Sequence, residues 1–154
     1  MVLPLLTRLD HVGIACRDLD RAVALYQATF GLEVASLEVN EEQGVREAML
    51  RVGASAMSVA MSVAGVRPGY VQLLEPLSPD SPVGKFLARR GEGLHHVGYE
   101  VADIREALVT VAGTGIRLVD ERPRHGSMGA SIAFLHPGDL GGVLTELVQP
   151  PGLA

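Results

Sequence analysis

The alternation of apolar and polar positions divides the chain into two similar runs of elements. The first run opens with a short strand pattern from His11 to Cys16, after which apolar residues recur at helical spacing. This helical stripe comprises Leu19, Ala22, Val23, Tyr26 and Phe30. Asp18 stands where a helix N-cap is expected, and Gly31 stands where the helix should end. The pattern therefore predicts a strand followed by an amphipathic helix.

The second run repeats this order. A strand pattern from His96 to Val101 leads to Asp103 as the expected cap, and a helical stripe follows at Ile104, Ala107, Leu108 and Val111. Each helix is then followed by three strand-like segments. They lie near Glu33 to Val39, Val45 to Val52 and Tyr70 to Leu74 in the first run, and near Arg117 to Val119, Ser131 to Leu135 and Val143 to Val148 in the second. The interval from Gly53 to Gly69 fits neither template well and is interpreted as a hairpin or an irregular excursion.

An internal repeat explains the two runs. Leu9-Asp10-His11-Val12-Gly13 matches Leu94-His95-His96-Val97-Gly98, and the match continues through the helix starts without a gap. We therefore predict an α+β fold of two tandem βαβββ modules, whose curved mixed sheets form a shared cleft. The modules span about residues 7–76 and 94–149 of a single domain covering residues 1–154. The connector 77–93 is turn-rich and contains a short helix that begins at Ser81-Pro82 and ends at Gly91.

Composition limits the functional classes. Of the 154 residues, 47% are hydrophobic and 20% are charged, which is typical of a well-packed globule and not of a disordered chain. The net charge of -5 argues against non-specific binding of nucleic acid. The single cysteine, Cys16, excludes an intrachain disulfide and a cysteine-based zinc site. No membrane-length apolar segment or signal peptide is predicted, so we expect a cytoplasmic protein without a membrane partner.

Four polar residues interrupt apolar strands at matching places in the two modules. His11 and His96 share a position on the first strand, and Gln72 and Glu146 share a position on the last. A polar side chain buried in such a strand is costly without a partner, and a shared cation would satisfy all four. Two imidazoles, one carboxylate and one amide oxygen suit Co²⁺, Mn²⁺, Ni²⁺, Zn²⁺ or Fe²⁺ and leave room for two substrate oxygens. Each residue on its own could equally face solvent or cap a strand edge, and it is the repeat that favours the metal site.

Other candidate residues have ordinary explanations of equal or greater weight. The loop Arg124–Gly129 could fold over a substrate or could be a plain hairpin loop. Arg89 and Arg90 could meet phosphates, although cations are favourable at any helix C-terminus. His95 and His136 are interpreted as structural or as supporting the ligands.

A series of short motifs spans nearly the whole chain. They are Asp10-His11-Val12-Gly13-Ile14-Ala15, Glu42-Gln43-Gly44-Val45 with Glu47, Gln72-Leu73-Leu74-Glu75-Pro76, Ser78-Pro79-Asp80-Ser81-Pro82, Lys85-Phe86-Leu87, Gly91-Glu92-Gly93-Leu94-His95-His96, Ala133-Phe134-Leu135-His136-Pro137 and Gly141-Gly142-Val143-Leu144-Thr145-Glu146-Leu147. In this the chain resembles the vicinal oxygen chelate superfamily and, within it, the methylmalonyl-CoA epimerase family. The segment from Gly53 to Gly69 departs from the family pattern.

The resemblance implies a chemistry. It implies an enzyme that interconverts the C2 epimers of methylmalonyl-CoA, through proton removal and return and a metal-stabilised enolate. Inversion needs proton-transfer groups on both faces of the enolate plane, and the family's two glutamates correspond to Glu47 and Glu146. From the residues alone, Glu47 would be a solvent-facing strand glutamate. The resemblance further implies Co²⁺ as the metal, an acyl-CoA substrate and a homodimer.

Three alternatives remain open at this point. A glyoxalase-type isomerase acting on a glutathione adduct would use a similar metal site, although Gln72 and the Glu42-Gln43-Gly44 segment favour the epimerase. An extradiol-type dioxygenase would use two histidines and one glutamate and usually has a longer chain. A metal-free binding protein of the same fold would not need all four ligand positions.

Overall fold

The computed structural model describes residues 4–53 and 67–152 of the chain. These residues form two compact units. We call residues 11–53 and 67–95 the N-terminal unit, and residues 96–152 with residues 4–10 the C-terminal unit. Most of the interval interpreted as a hairpin or excursion lies outside the described residues. No helix within residues 4–53 and 67–152 is long and apolar enough to cross a membrane.

The N-terminal unit has a mixed strand arrangement with two helices. Its elements are β1 (Arg8–Ala15), α1 (Leu19–Phe30), β2 (Glu33–Asn40), β3 (Val45–Val52), β4 (Gly69–Pro76) and α2 (Pro82–Arg90). Of β1, the part that begins at His11 belongs to this unit. The strands lie in the order β2-β3-β4-β1. The β1–β4 pair is parallel, whereas β2–β3 and β3–β4 are antiparallel. The connection from β1 to its parallel neighbour β4 therefore passes through α1 and two antiparallel strands.

The C-terminal unit repeats this arrangement with shorter strands. Its elements are β5 (Gly93–Glu100), α3 (Ile104–Gly113), β6 (Arg124–His125), β7 (Ser131–Leu135) and β8 (Thr145–Gln149). Of β5, the part that begins at His96 belongs to this unit. The order is β5-β8-β7-β6, with β5–β8 parallel and the other two pairs antiparallel. The predicted α+β class with mixed strands is confirmed.

Each unit uses its two strand faces differently. In the N-terminal unit, α1 covers one face through a core that includes Leu19, Ala48, Leu50 and Leu73. Residues of opposite parity point to the other face, where α2 covers Ala15, Val45 and Leu74. In the C-terminal unit, α3 likewise covers the face that carries Ala133, Leu135 and Leu147. The part of the second face that no helix covers can therefore carry polar side chains.

In each unit, a side chain of the last strand also accepts a hydrogen bond from the first residue of a helix. Asp18 and Asp103 cap α1 and α3 as predicted, each accepting backbone N–H hydrogen bonds from the first turn. In addition, the Leu19 N–H donates to Glu75 Oε2 (2.6 Å), and the Ile104 N–H donates to Gln149 Oε1 (2.9 Å). Glu75 follows Gln72 by three residues, as Gln149 follows Glu146. One side chain of each last strand thus faces the helix, and another faces the opposite side.

The α2 prediction is confirmed, and one strand prediction is wrong. The Ser81 hydroxyl accepts the Gly84 N–H at the start of α2, and Gly91 ends the helix at a φ of 74°. The predicted strand Arg117–Val119 is reduced to one isolated bridge between Leu118 and Leu135. Backbone hydrogen bonds flank this bridge, from the His136 N–H to the Arg117 carbonyl and from the Val119 N–H to the Phe134 carbonyl (both 2.9 Å). The pairing goes no further, because Asp139 Oδ2 accepts the Arg117 N–H (2.9 Å) and Asp120 Oδ2 accepts the Phe134 N–H (2.9 Å). The edge strand is instead the two-residue β6.

Candidate functional site

The N-terminal unit places His11 and Gln72 on the face opposite α1. In the parallel β1–β4 pair, Gly13 lies directly opposite Gln72 and His11 lies opposite Tyr70. Paired residues share a face, so His11 and Gln72 stand diagonally across the gap where Gly13 carries no side chain. Both are buried, with His11 4% and Gln72 5% exposed. The sequence expectation that these are interior polar residues is met.

Glu47 belongs to the same group. It is 2% exposed, so the solvent-facing reading of this residue is wrong. Gln72 Nε2 donates a hydrogen bond to Glu47 Oε2 at 2.8 Å. Because the amide nitrogen faces Glu47, the amide oxygen of Gln72 points away from it. This bond both holds the carboxylate and sets the direction of the oxygen that a cation would use.

The C-terminal unit provides the matching pair. In the parallel β5–β8 pair Gly98 lies opposite Glu146, as Gly13 lies opposite Gln72. His96 Nε2 lies 3.4 Å from Glu146 Oε2, and these residues are 2% and 4% exposed. The two glycines belong to the repeat that the sequence reveals, but their role in clearing space beside each ligand becomes visible only from the strand register.

Apolar side chains surround the His96–Glu146 pair. Phe134 lies opposite Glu146 across β7–β8, and its ring meets the His96 ring edge to face at 5.3 Å between centroids. The same face carries Ile132 and Val148 in a buried cluster. A carboxylate and an imidazole buried among such groups are costly unless they bind a partner.

The donor chemistry fits a divalent metal. His11, His96 and Glu146 are buried, and each offers one ligand atom of a kind that holds such ions. Gln72 adds an amide oxygen whose orientation is fixed by Glu47. His11 and Gln72 in the N-terminal unit, and His96 and Glu146 in the C-terminal unit, carry nitrogen and oxygen donors of the kinds that borderline divalent ions bind.

The remaining candidate residues make contacts that stabilise the local fold. His95 meets the Phe86 ring of α2 at 5.0 Å between centroids, and burial lowers the pKa of its imidazole to about 4. His136 Nδ1 accepts the Gly138 N–H (3.0 Å) at the start of a 3₁₀ turn. Arg89 and Arg90 form the last turn of α2, and the Arg90 guanidinium lies over the Phe86 ring.

The loop Arg124–Gly129 is folded tightly onto β7. The Gly126 N–H donates to the Ala130 carbonyl (2.9 Å), and the Ala130 N–H donates to the Ser127 carbonyl (3.1 Å). Met128 has a φ of 56°, which is uncommon for a residue with a side chain. The loop is therefore a closed turn beside the cluster around Phe134.

The sequence and the fold of this chain have relatives among known proteins. The chain belongs to the Glyoxalase/Bleomycin resistance protein/Dioxygenase superfamily, whose family model matches residues 10–134. Similar proteins include several mitochondrial methylmalonyl-CoA epimerases and an ethylmalonyl-CoA/methylmalonyl-CoA epimerase of Cereibacter sphaeroides. The mitochondrial methylmalonyl-CoA epimerase of Bos taurus is 37% identical over 94% of this chain and 75% of its own length.

Solved structures agree with the sequence relatives. A variant of the Streptomyces coelicolor methylmalonyl-CoA epimerase, in complex with 2-nitronate-propionyl-CoA, is 49% identical. It superimposes with a TM-score of 0.86 over 96% of this chain and 97% of its own. The methylmalonyl-CoA epimerase of Mycobacterium tuberculosis is 39% identical, with a TM-score of 0.84 over 97% of this chain and 92% of its own.

Proposed function

We propose that this chain is a metal-dependent epimerase that interconverts the two C2 epimers of methylmalonyl-CoA. The observation that carries the proposal is the matched set of buried donors, His11 with Gln72 and His96 with Glu146, each beside a glycine in the same register. The near full-length similarity to methylmalonyl-CoA epimerases supports the substrate.

The proposed ligand set takes one imidazole and one oxygen donor from each unit. His11, Gln72, His96 and Glu146 together hold one divalent ion in the cleft expected from the repeat. When bound, this ion supplies Lewis-acid charge that stabilises the negative charge developing on the thioester oxygen. Co²⁺ is the ion we expect from the resemblance, since the mixed nitrogen and oxygen donor set also suits Mn²⁺, Ni²⁺, Zn²⁺ or Fe²⁺.

Two carboxylates carry the proton. Glu47 removes or returns the C2 proton on one face of the enolate plane, and Glu146 acts on the other. The hydrogen bond from Gln72 fixes the Glu47 carboxylate, and burial excludes water that would compete for the carbanion. Glu146 combines the role of ligand with that of acid or base.

The resemblance to the methylmalonyl-CoA epimerase family also suggests an oligomeric state and a cellular compartment. We propose a homodimer, supported by exposed apolar side chains in the N-terminal unit such as Leu25, Phe30 and Leu37. We also propose a cytoplasmic enzyme, because its single cysteine is free and buried and forms no disulfide that would need an oxidising compartment.

The proposal is tested by incubating the purified protein with one methylmalonyl-CoA epimer in D₂O and following the C2 proton by NMR. We expect inversion with deuterium uptake at C2, lost on chelation and restored by Co²⁺. Glu47→Gln should lower the rate by about 100-fold to 10,000-fold, the usual loss for a positioned acid or base.

The matched control is Glu42→Gln, which removes an exposed carboxylate from the β2–β3 turn. It should leave the rate unchanged. If neither inversion nor exchange occurs with several added divalent metals, the epimerase proposal fails. A glutathione adduct or a non-catalytic ligand would then have to be sought for the same site.

A further inference from the structure

Arg124 is a charged residue on a terminal strand whose side chain does not extend into solvent. It lies on β6 and pairs with Ile132 of β7, so these two side chains share a face. Ile132 in turn pairs with Val148, which lies two residues after Glu146 on β8, so this is the face that carries Glu146. The Arg124 side chain is 29% exposed and its Nε is buried. An arginine that served only solubility would place its charged head in water.

The guanidinium leans toward the buried histidine and glutamate of this unit. Arg124 Cζ lies over the Phe134 ring, 6.0 Å from its centroid. Phe134 is the residue paired directly with Glu146, and its ring also meets the His96 ring at 5.3 Å between centroids. One aromatic ring therefore contacts both this cation and the imidazole of His96.

Most of the hydrogen-bonding capacity of this guanidinium is unused. Arg124 Nε lies 3.0 Å from Asp120 Oδ1, although the two are not aligned for a hydrogen bond. The other oxygen of Asp120 accepts the Phe134 N–H (2.9 Å), which fixes the carboxylate to β7. Within residues 4–53 and 67–152, no hydrogen bond from Arg124 Nη1 or Nη2 is found, and these two atoms carry four of the five donors of the group. The group is therefore suited to bind an anion on this face.

The backbone around Arg124 is held in place before any ligand binds. Gly126 follows two residues later, and a Cβ there would lie 2.5 Å from Ile132 Cγ2, so this close approach to β7 requires a glycine. The Gly126 N–H also donates to the Ala130 carbonyl (2.9 Å). A cation on a fixed backbone loses little conformational entropy when it binds an anion.

We propose that Arg124 binds the free carboxylate of the methylmalonyl group, an inference that rests on the proposed epimerase function. In the substrate this carboxylate and the thioester are attached to the same carbon, C2. A carboxylate held by Arg124 therefore keeps C2 close to His96 and Glu146, whereas the phosphates of coenzyme A are separated from C2 by the whole pantetheine arm. The free carboxylate distinguishes methylmalonyl-CoA from simple acyl-CoA thioesters, so Arg124 is a specificity-determining residue.

The test compares two ligands that differ only in the free carboxylate, methylmalonyl-CoA as its equilibrated epimers and propionyl-CoA. Calorimetric titration of the Co²⁺-loaded protein gives the Kd of each ligand for wild type, Arg124→Gln and Arg124→Lys, with the exposed Arg122→Gln as the matched control. We expect Arg124→Gln to weaken methylmalonyl-CoA binding about 10-fold to 100-fold and to change propionyl-CoA binding by less than about twofold, because only the first ligand loses a hydrogen bond between charged groups.

Two further comparisons sharpen this result. Arg124→Lys should bind methylmalonyl-CoA with intermediate affinity, because lysine keeps the charge but not the planar pair of donors. Methylmalonyl-pantetheine, which lacks the phosphates of coenzyme A, should lose as much affinity in Arg124→Gln as methylmalonyl-CoA does. Arg122→Gln should leave all three affinities unchanged.

Several outcomes would overturn the assignment of Arg124. Unchanged affinities in Arg124→Gln would leave the ion pair with Asp120 as the role of this residue. Equal weakening of both CoA ligands, with no effect on methylmalonyl-pantetheine, would assign it to a phosphate of coenzyme A. Equal weakening of all three ligands together with a lower melting temperature would assign it a structural role. In each case inversion at C2 by the wild type keeps the epimerase proposal, whereas absence of inversion overturns that proposal and the assignment with it.

Discussion

The two units share a frame but differ beside their oxygen ligands. In both, a histidine and a glycine two residues later lie on the first strand, and the glycine pairs with the ligand of the last strand. The strand next to that ligand differs. Met49 and Glu47 stand beside Gln72 and Leu74 in the N-terminal unit, whereas Phe134 and Ile132 stand at the corresponding positions beside Glu146 and Val148.

This difference shows which strand positions are alike in the two units and which have diverged. In both units a parallel register places a glycine opposite the polar residue of the last strand, Gln72 or Glu146, and leaves space beside it. On β3, the residue two positions before Met49 is the buried carboxylate Glu47. On β7, the residue two positions before Phe134 is the buried Ile132. Under the proposed function, proton transfer would therefore be divided unequally, with Glu47 as a dedicated base in the N-terminal unit and Glu146 as both ligand and base in the C-terminal unit.

The largest expected effect separates these two carboxylates. Glu47→Gln and Glu146→Gln should both abolish most turnover, but Glu146→Gln should weaken Co²⁺ binding much more, because Glu47→Gln keeps an oxygen that can accept the Gln72 hydrogen bond. Loss of a group outside the ligand shell already costs about 10-fold to 100-fold in affinity, so loss of an anionic ligand should exceed that. Isothermal titration of both variants with Co²⁺ measures the split. Equal Co²⁺ affinities for the two variants would contradict the division of roles.

A second effect compares one helix glycine from each unit. A Cβ at Gly84 in α2 would lie 2.4 Å from the Ser78 carbonyl oxygen and 2.7 Å from that of Pro79, so Gly84→Ala should destabilise the protein by about 1–3 kcal/mol. A Cβ at Gly113 in α3 meets no described atom within 4 Å. Gly113→Ala should therefore stabilise by about 0.4–1 kcal/mol. Urea unfolding distinguishes the two, and a Gly84→Ala variant as stable as wild type would refute the close approach.

A third effect compares the side chains that hold the helix starts. Glu75 accepts the Leu19 N–H as a carboxylate, whereas Gln149 accepts the Ile104 N–H as a neutral amide. Glu75→Ala should cost about 1.5–3 kcal/mol and Gln149→Ala about 0.5–1.5 kcal/mol, because hydrogen bonds to charged groups are stronger. The free energies of unfolding from urea titrations give both numbers. The reverse ranking would show that burial, not charge, governs these contacts.

The smallest effect concerns an exposed ion pair of the C-terminal unit. The Arg117 guanidinium binds Asp139 at 2.9 and 3.0 Å and lowers the pKa of that carboxyl to about 2. A lowered pKa stabilises the fold above the unfolded value near 3.9 and loses that contribution as the pH falls toward 2. Asp139→Asn should therefore melt slightly below wild type at pH 6, with the difference shrinking below pH 4. A difference that grew on acidification would contradict the pairing.

These comparisons also show how far the sequence reaches. The repeat placed His11, Gln72, His96 and Glu146 in equivalent strands, and the caps Asp18 and Asp103 predicted where both long helices begin. The burial of Glu47 could not be predicted, because alternation along β3 does not say which face of the strand is covered. The Arg117–Val119 segment pairs through a single bridge and not a strand, because carboxylates accept the Arg117 and Phe134 N–H groups that would extend the ladder.

The central claim is that one ion is held by one imidazole and one oxygen donor from each unit. Co²⁺ titration of the metal-free protein, followed by the visible absorption of the bound ion, tests it most directly with wild type, His11→Ala and His96→Ala. We expect one Co²⁺ per chain for wild type and a large loss of affinity in both variants, although the two histidines lie in different units. Full affinity in either histidine variant, or two ions per chain, would contradict it.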